Sequence, residues 1–200
     1  MSHITKIHTT VKEESPILYW IVITHLILAI GCLVGLFIDE RTLMGVNVWI
    51  KPLKFSISGA IYIFTVGYLM TLYPYKKRKK NSINNLVGWT LLIEIGLIVY
   101  QASRGVQSHY NESSLFDGLV FAAMGILIAI NVLIMVLFIY DTIRLKLKTP
   151  KPIQWAILLG WIIVLFGSWV GGQMISQMSH TVGVIDGGAG LPLVRYSQYG

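Results

Sequence analysis

A short connection between two apolar runs collects many of the side chains that could do chemistry in this chain. It reads QASRGVQSHYNESSLFDG and extends from Gln101 to Gly118. Ser113 or Ser114 can cap a following helix, and Asp117 would meet the positive end of that helix. Four further polar residues have no such structural role: Arg104, His109, Asn111 and Glu112. They belong either to an ordinary solvated loop or to the wall of a binding site.

Imidazole and carboxylate groups in this connection and in the tail could together hold a metal ion. His109 and Glu112 lie in the connection, and His180 and Asp186 lie in the tail from Ser179 to Gly200. These ligand types suit zinc and related divalent ions. No HExxH or CxxC spacing accompanies them, so the metal hypothesis rests on His109, His180 and Asp186 alone. The tail sequence DGGAGLP can equally be a flexible turn.

The composition is that of a membrane protein. Of 200 residues, 54% are hydrophobic and 12% are charged, the mean hydropathy is +0.67, and soluble domains are about one quarter charged. The first apolar run is too long for the core of a signal peptide, so we expect it to remain as an anchor. The single cysteine, Cys32, lies inside that run and excludes an intramolecular disulfide.

The hydropathy pattern predicts an all-α, polytopic transmembrane helix bundle of about five spans. Each apolar run is long enough to cross about 30 Å of hydrocarbon. The predicted spans are residues 17–38, 55–73, 83–102, 116–140 and 153–178. They form a single transmembrane domain over residues 1–200, which ends in an extracytoplasmic tail at 179–200.

The basic residues predict an orientation with the amino terminus inside and the carboxyl terminus outside. If KKRKK is cytoplasmic, 11 of the 16 lysines and arginines share that side. The remainder are Arg41, Lys51, Lys54, Arg104 and Arg195. Because most basic residues flank spans, the net charge of +7 reflects orientation in a lipid bilayer, and nucleic acid is excluded as a partner.

Three stretches of mixed polarity then fall on the outer face: residues 39–55, the connection after Gln101, and the tail. Pro52 suits the first turn of a helix, with Lys51 and Lys54 beside it. These lysines either extend their charged ends into the headgroup region or contribute to a ligand site.

Polar side chains also lie within the predicted spans. His25, Glu94 and Asn131 fall at depths within roughly 5 Å of one another, and we expect Glu94 to face His25 or Asn131, since an isolated ionisable group there is costly. Gln101 lies on nearly the same helix face as Glu94, with Arg104 beyond it. These buried polar side chains form either a path for protons or ions or a set of hydrogen bonds that hold the helices together.

The last span contains GSWVG, in which Gly167 and Gly171 form a small-residue face for packing within the chain or in a homo-oligomer. A haem held by two histidines inside the bundle is not expected, because His25 is the only histidine within a span.

The stretches NVWIKPLKFSIS, QASRGVQSHYN and SHTVGVIDGGAGLP resemble a family of uncharacterised bacterial multi-pass membrane proteins. The resemblance covers Asn47 to about Pro192. It implies a multi-pass protein of the bacterial inner membrane, and it implies no activity, substrate or catalytic residue. Members continue into further helices, so the resemblance also implies that the chain is a truncation or a short variant.

The leading hypothesis for function is a membrane-embedded module that holds a small ligand or metal ion on its outer face. Its candidate residues are Lys51, Lys54, Gln101, Arg104, His109, Asn111, Glu112, His180 and Asp186. The alternatives are proton or ion transport through the buried polar groups, a membrane enzyme using His109 or His180, and a structural or accessory subunit.

Overall fold

The computed structural model describes residues 3–43, 45–111 and 113–176, and helices make up 80% of them. The helices are α1 (His3–Glu14), α2 (Pro16–Ile38), α3 (Ile50–Leu69), α4 (Lys77–Ser103), α5 (Leu115–Arg144) and α6 (Lys151–Ser176). A short antiparallel hairpin of β1 (Thr42–Leu43) and β2 (Val46–Asn47) follows α2. The predicted all-α class is confirmed.

Within the described ranges, four helices are long and apolar enough to cross a membrane: α2, α4, α5 and α6. Their bounds overlap four of the predicted spans closely. Large apolar side chains such as Phe37, Leu133 and Phe166 are exposed on the outside of the bundle. An apolar surface of this kind is stable when hydrocarbon covers it.

Helix α3 corresponds to the remaining predicted span, but it begins and ends earlier than the predicted bounds of 55 and 73. Its first turn contains Lys51, Pro52 and Lys54, and lysines lower the hydropathy on which the predicted bound depended. Helix α3 packs along α2 and also against α4. Its buried face is rich in small residues, including Ser56, Gly59, Ala60 and Gly67, which allow close helix packing.

Helix α1 was not predicted, because its polar sequence gives no apolar run. It is held by tertiary contacts, since Val11 is fully buried and packs against Gly67 of α3. Ser15 Oγ then donates a 3.1 Å hydrogen bond to the Gly67 carbonyl. Pro16 starts α2, at a position where its missing N–H costs nothing.

One end of the bundle, called here the basic end, comprises the connections at residues 70–76 and 145–150. Lys148 N donates to the Leu72 carbonyl at 2.9 Å and joins these connections. The Tyr73 hydroxyl lies 2.6 Å from Thr142 Oγ1 of α5 and accepts a 3.1 Å hydrogen bond from Trp161 Nε1 of α6. The basic end is thus fixed by hydrogen bonds between buried side chains.

The small-residue face of α6 is open among the described residues. A Cβ placed on Gly160, Gly167 or Gly171 would meet no atom within 4 Å. These glycines therefore do not pack helices together within the described part of the chain, and the homo-oligomer stays a prediction.

Gly35 of α2 allows a close contact that Gly31, one turn earlier, does not make. A Cβ on Gly35 would lie 2.6 Å from Trp49 Cδ2, whereas a Cβ on Gly31 would meet nothing within 4 Å. We expect Gly35→Ala to lower the free energy of unfolding by about 1–3 kcal/mol because the indole must move. Gly31→Ala is the control and should be neutral or stabilising. Thermal unfolding in detergent measures both, and equal shifts would contradict the packing role of Gly35.

Candidate functional site

Asp39 organises the connection between α2 and α3. Arg41 donates to its carboxylate from Nε at 2.9 Å and from Nη2 at 2.7 Å, and Trp49 Nε1 donates at 2.8 Å. These hydrogen bonds, from Arg41 first and Trp49 second, hold the pKa of Asp39 well below its usual range. Asn47 Nδ2 also donates to the Asp39 carbonyl at 2.6 Å. The connection is therefore folded back over the end of α2.

Arg41 also joins this connection to the end of α4. Its Nη2 donates to the Ser103 carbonyl at 3.1 Å. Helix α4 ends with Gly105 N donating to Ala102 O at 2.9 Å and Val106 N donating to Gln101 O at 3.1 Å. This is a Schellman termination with Gly105 at a φ of 72°. Because glycine adopts a positive φ without strain, the sequence itself favours a helix end at this residue.

Residues 39–43, 45–49, 104–111 and 113–114 thus form one end of the bundle, called here the hairpin end. Two of the three stretches that the orientation argument assigned to one face meet there. The third, the tail, lies outside the described residues.

Asp117 joins the end of α4 to the start of α5. Its carboxylate forms an ion pair with Arg104 and accepts a 2.9 Å hydrogen bond from Gln101 Nε2. Arg104 Nη1 also donates to Gln101 Oε1 at 2.6 Å. The hydrogen bond to Asp117 raises the pKa of the Arg104 guanidinium. Arg104 and Gln101, both predicted site residues, are therefore part of a structural network.

The predicted cap of α5 is also confirmed. Asp117 N donates to Ser114 Oγ at 3.1 Å, and Ser114 Oγ donates to Asp117 Oδ2 at 2.6 Å. The carboxylate that accepts a hydrogen bond from the capping serine is thus the same one that holds Arg104, and only 2% of Asp117 is exposed.

Lys51 of α3 and His109 of the connection between α4 and α5 lie side by side. Lys51 Nζ is 3.3 Å from His109 Nδ1, and Ser108 Oγ is 3.0 Å from the same nitrogen. Because an ammonium can only donate, Nδ1 is the acceptor. In the described part of the chain, no carboxylate oxygen lies within 4 Å of Lys51 Nζ. Burial lowers the pKa of Lys51 from 10.5 to about 8.

Aromatic rings surround His109. Its ring centroid lies 6.3 Å from Phe55 of α3 and 6.1 Å from Phe121 of α5. The neighbouring Tyr110 also packs on Phe121, with ring centroids 5.4 Å apart, and has a φ of 57°. Such a conformation is uncommon for a bulky residue and marks a locally constrained backbone. The polar pair of Lys51 and His109 thus lies next to aromatic rings from two helices, α3 and α5.

The remaining predicted site residues have different positions. Asn111 supports a turn, since its Oδ1 accepts from Ser113 N at 3.1 Å and its Nδ2 donates to Gln107 O at 3.2 Å. Lys54 is exposed, as expected if its charged end extends from the bundle. Three candidates lie outside the described residues: Glu112, His180 and Asp186.

The intramembrane polar residues His25, Glu94 and Asn131 are all buried. Asn131 Nδ2 donates to Thr90 Oγ1 at 2.7 Å, and His25 Nδ1 bonds to the Ile21 carbonyl of its own helix at 2.8 Å. Glu94 was expected to face one of these two residues; in the described ranges it forms a hydrogen bond with neither, and its Oε2 has no partner. Asn131 instead contacts the residue one turn before Glu94.

Sequence reasoning missed the importance of Asp39 and Trp49 and treated Asp117 as a cap alone. The local signal for Asp39 was Arg41, two residues later, in a stretch already noted for mixed polarity. The pairing of Lys51 with His109 has no local signal, because it depends on how α3 is placed against the connection.

No group of three or more His, Cys, Asp or Glu residues that could hold a metal ion is found in residues 3–43, 45–111 and 113–176. His109 alone of the predicted metal set falls within these ranges. No protein-family model, curated protein or solved structure matches the chain. Function is therefore inferred from the geometry of the hairpin end and of the bundle core.

We expect Asp117→Asn to lower the melting temperature in detergent more than Glu40→Gln does. The first change removes the charge that holds Arg104, whereas Glu40 is exposed on the neighbouring connection and provides a matched loss of a carboxylate. Differential scanning fluorimetry of both variants tests this. Equal small shifts would mean that the Arg104 pair contributes little to stability.

Proposed function

We propose that the chain is an integral membrane protein of five spans that binds a small organic anion at its hairpin end. The fifth span is the part of helix α3 that follows Lys54, so Lys51 lies outside the spans at the hairpin end, and the hairpin end is extracytoplasmic. The excess of basic residues at the opposite end supports this orientation. The resemblance to a bacterial multi-pass family supports a setting in the bacterial inner membrane.

The observation that carries the proposal is the pair of Lys51 and His109. Burying an ammonium group away from water costs free energy when no carboxylate pairs with it, and a bound anionic ligand would offset that cost. Lys51 has the neutral Nδ1 of His109 at 3.3 Å as its hydrogen-bond partner. An ammonium has three N–H donors, so two can point to an anion.

The same pair favours an anion over a metal ion as the ligand. A divalent cation at His109 Nδ1 would stand beside the Lys51 ammonium, which is 3.3 Å from that nitrogen, and like charges at such distances repel. The rings of Phe55 and Phe121 near His109 favour a ligand that joins an apolar body to its charge, such as an aromatic carboxylate.

The proposal predicts that benzoate binds through Lys51. Hydrogen bonds to a charged group contribute about 1.5–3 kcal/mol, so Lys51→Gln should weaken benzoate binding roughly 10- to 150-fold. Lys54→Gln is the control, because it removes the same charge from the exposed side of the same helix. Isothermal titration calorimetry of purified protein measures both. Equal affinity in the two variants, or Zn²⁺ binding in place of benzoate, would reject the anion site.

Binding should also weaken as the pH rises through about 8, the pKa of Lys51 in the folded protein. Above that pKa the ammonium is progressively lost, and affinity should fall about tenfold per pH unit. A titration series between pH 6.5 and 9.5, on the order of one unit to either side of that pKa, measures this. Affinity that does not change across this range would exclude Lys51 as the counter-charge.

The ligand-free protein should respond to pH in the opposite sense. The unfolded chain, with Lys51 at 10.5, holds more protons than the folded chain between about pH 8 and 10.5. The contribution of Lys51 to the free energy of unfolding therefore rises with pH in this window. The Lys51→Gln variant lacks this contribution, so the pH dependence of its free energy of unfolding is the baseline for the comparison.

A further inference from the structure

The buried face of α4 carries a series of polar residues along its whole length. Asn84, Thr90, Glu94 and Gln101 are each 6% exposed or less. Asn84 and Gln101 are 17 residues apart, which corresponds to about 26 Å of helix, close to the thickness of bilayer hydrocarbon. The series therefore extends from near the basic end to the hairpin end.

Two members of this series have unused hydrogen-bonding atoms, Asn84 Oδ1 and Glu94 Oε2. Neighbouring helices present four more: His25 Nε2 from α2, Ser56 Oγ and the Tyr62 hydroxyl oxygen from α3, and Asn131 Oδ1 from α5. Buried polar atoms are normally paired, and the exceptions call for an explanation such as bridging water or a transferred proton. Here the exceptions concentrate on the helices that surround Glu94.

The contacts bring His25 and Asn131 close to the level of Glu94 in the bundle. His25 Nε2 lies 3.2 Å from the point that a Cβ on Gly59 would occupy, and Ile95 Cδ1 lies 2.5 Å from that same point. His25 is thus directed to where α3 meets α4, beside the residue that follows Glu94. On the α5 side, Asn131 bonds to Thr90, one turn before Glu94.

Few other titratable groups face this level. Helix α2 contributes the buried groups His25 and Cys32, and α3 contributes Tyr62, whose hydroxyl oxygen is buried without a hydrogen-bond partner. The buried acids of α5 are Asp117 and Asp141. Asp117 is paired with Arg104 at the hairpin end, and Asp141 is paired with Lys79 at the basic end. Glu94 is therefore the one carboxylate of the described residues that is buried without an ion pair.

We propose that Glu94 is a proton-carrying group and that the polar face of α4 conducts protons between the two ends of the bundle. A proton passes from water at one end to the Glu94 carboxylate and from the carboxylic acid to water at the other end, with no change in oxidation state. Thr90 and Asn84 lead toward the basic end. Gln101 leads to the hairpin end, where it bonds to Arg104 and Asp117. This proposal is independent of anion binding at Lys51.

The test reconstitutes the full chain in liposomes that contain a pH-sensitive dye and applies a potassium diffusion potential with valinomycin. We expect proton flux above that of protein-free liposomes, reduced at least tenfold by Glu94→Gln and unchanged by Glu40→Gln. Flux at the protein-free level in the unsubstituted chain overturns the proposal, as does undiminished flux in Glu94→Gln. In either case the buried groups serve packing.

A second measurement requires no variant and so does not depend on the folding of Glu94→Gln. Dicyclohexylcarbodiimide reacts with protonated carboxyl groups in apolar surroundings, and peptide mass spectrometry locates the adduct. We expect labelling at Glu94 and none at the exposed Glu40 or the ion-paired Asp117. Absence of an adduct at Glu94 shows that this carboxyl group does not take up a proton and overturns the proposal.

Discussion

The hairpin end depends on the carboxylate of Asp117. This one group accepts from Gln101 and Arg104 at the end of α4 and from Ser114 at the start of α5. It therefore fixes both ends of the connection that contains His109. Because the carboxylate is almost fully buried, its charge must be balanced locally, and Arg104 provides that balance. The position of His109 beside Lys51 follows from this arrangement.

Much of the helical framework could be predicted from the sequence, since apolar runs report long helices directly. The break at Gly105 and the cap at Ser114 could also be predicted, because both depend on local backbone chemistry. Helix α1 could not, since a polar helix docked through Val11 and Ser15 gives no hydropathy signal. The early start of α3 was missed because Lys51 and Lys54 lower the hydropathy of its first turn.

The sequence was sufficient to identify many residues of the candidate site, but it predicted only some of the contacts that these residues make. Gln101, Arg104 and His109 were recognised because polar groups concentrate in one short connection. Which partner each would take depends on the rotation of α3, α4 and α5 about their axes, and sequence spacing does not determine that rotation. Arg104 thus contacts Asp117 and Gln101, whereas Lys51, which the sequence predicted as either a headgroup anchor or part of a ligand site, contacts the histidine.

The junction of α5 and α6 and the connection after α2 are held by different kinds of interaction. At the basic end, which also contains the ion pair of Lys79 and Asp141, the side chains of Tyr73, Thr142 and Trp161 form a neutral, buried hydrogen-bonded group. At the hairpin end, Arg41 and Asp39 form an ion pair in which half of the arginine side chain is exposed. Mobile ions screen exposed pairs of charges but leave buried neutral hydrogen bonds almost unaffected. Ionic strength therefore acts unequally on the molecule: added salt loosens the connection after α2 while the junction of α5 and α6 at the opposite end keeps its strength.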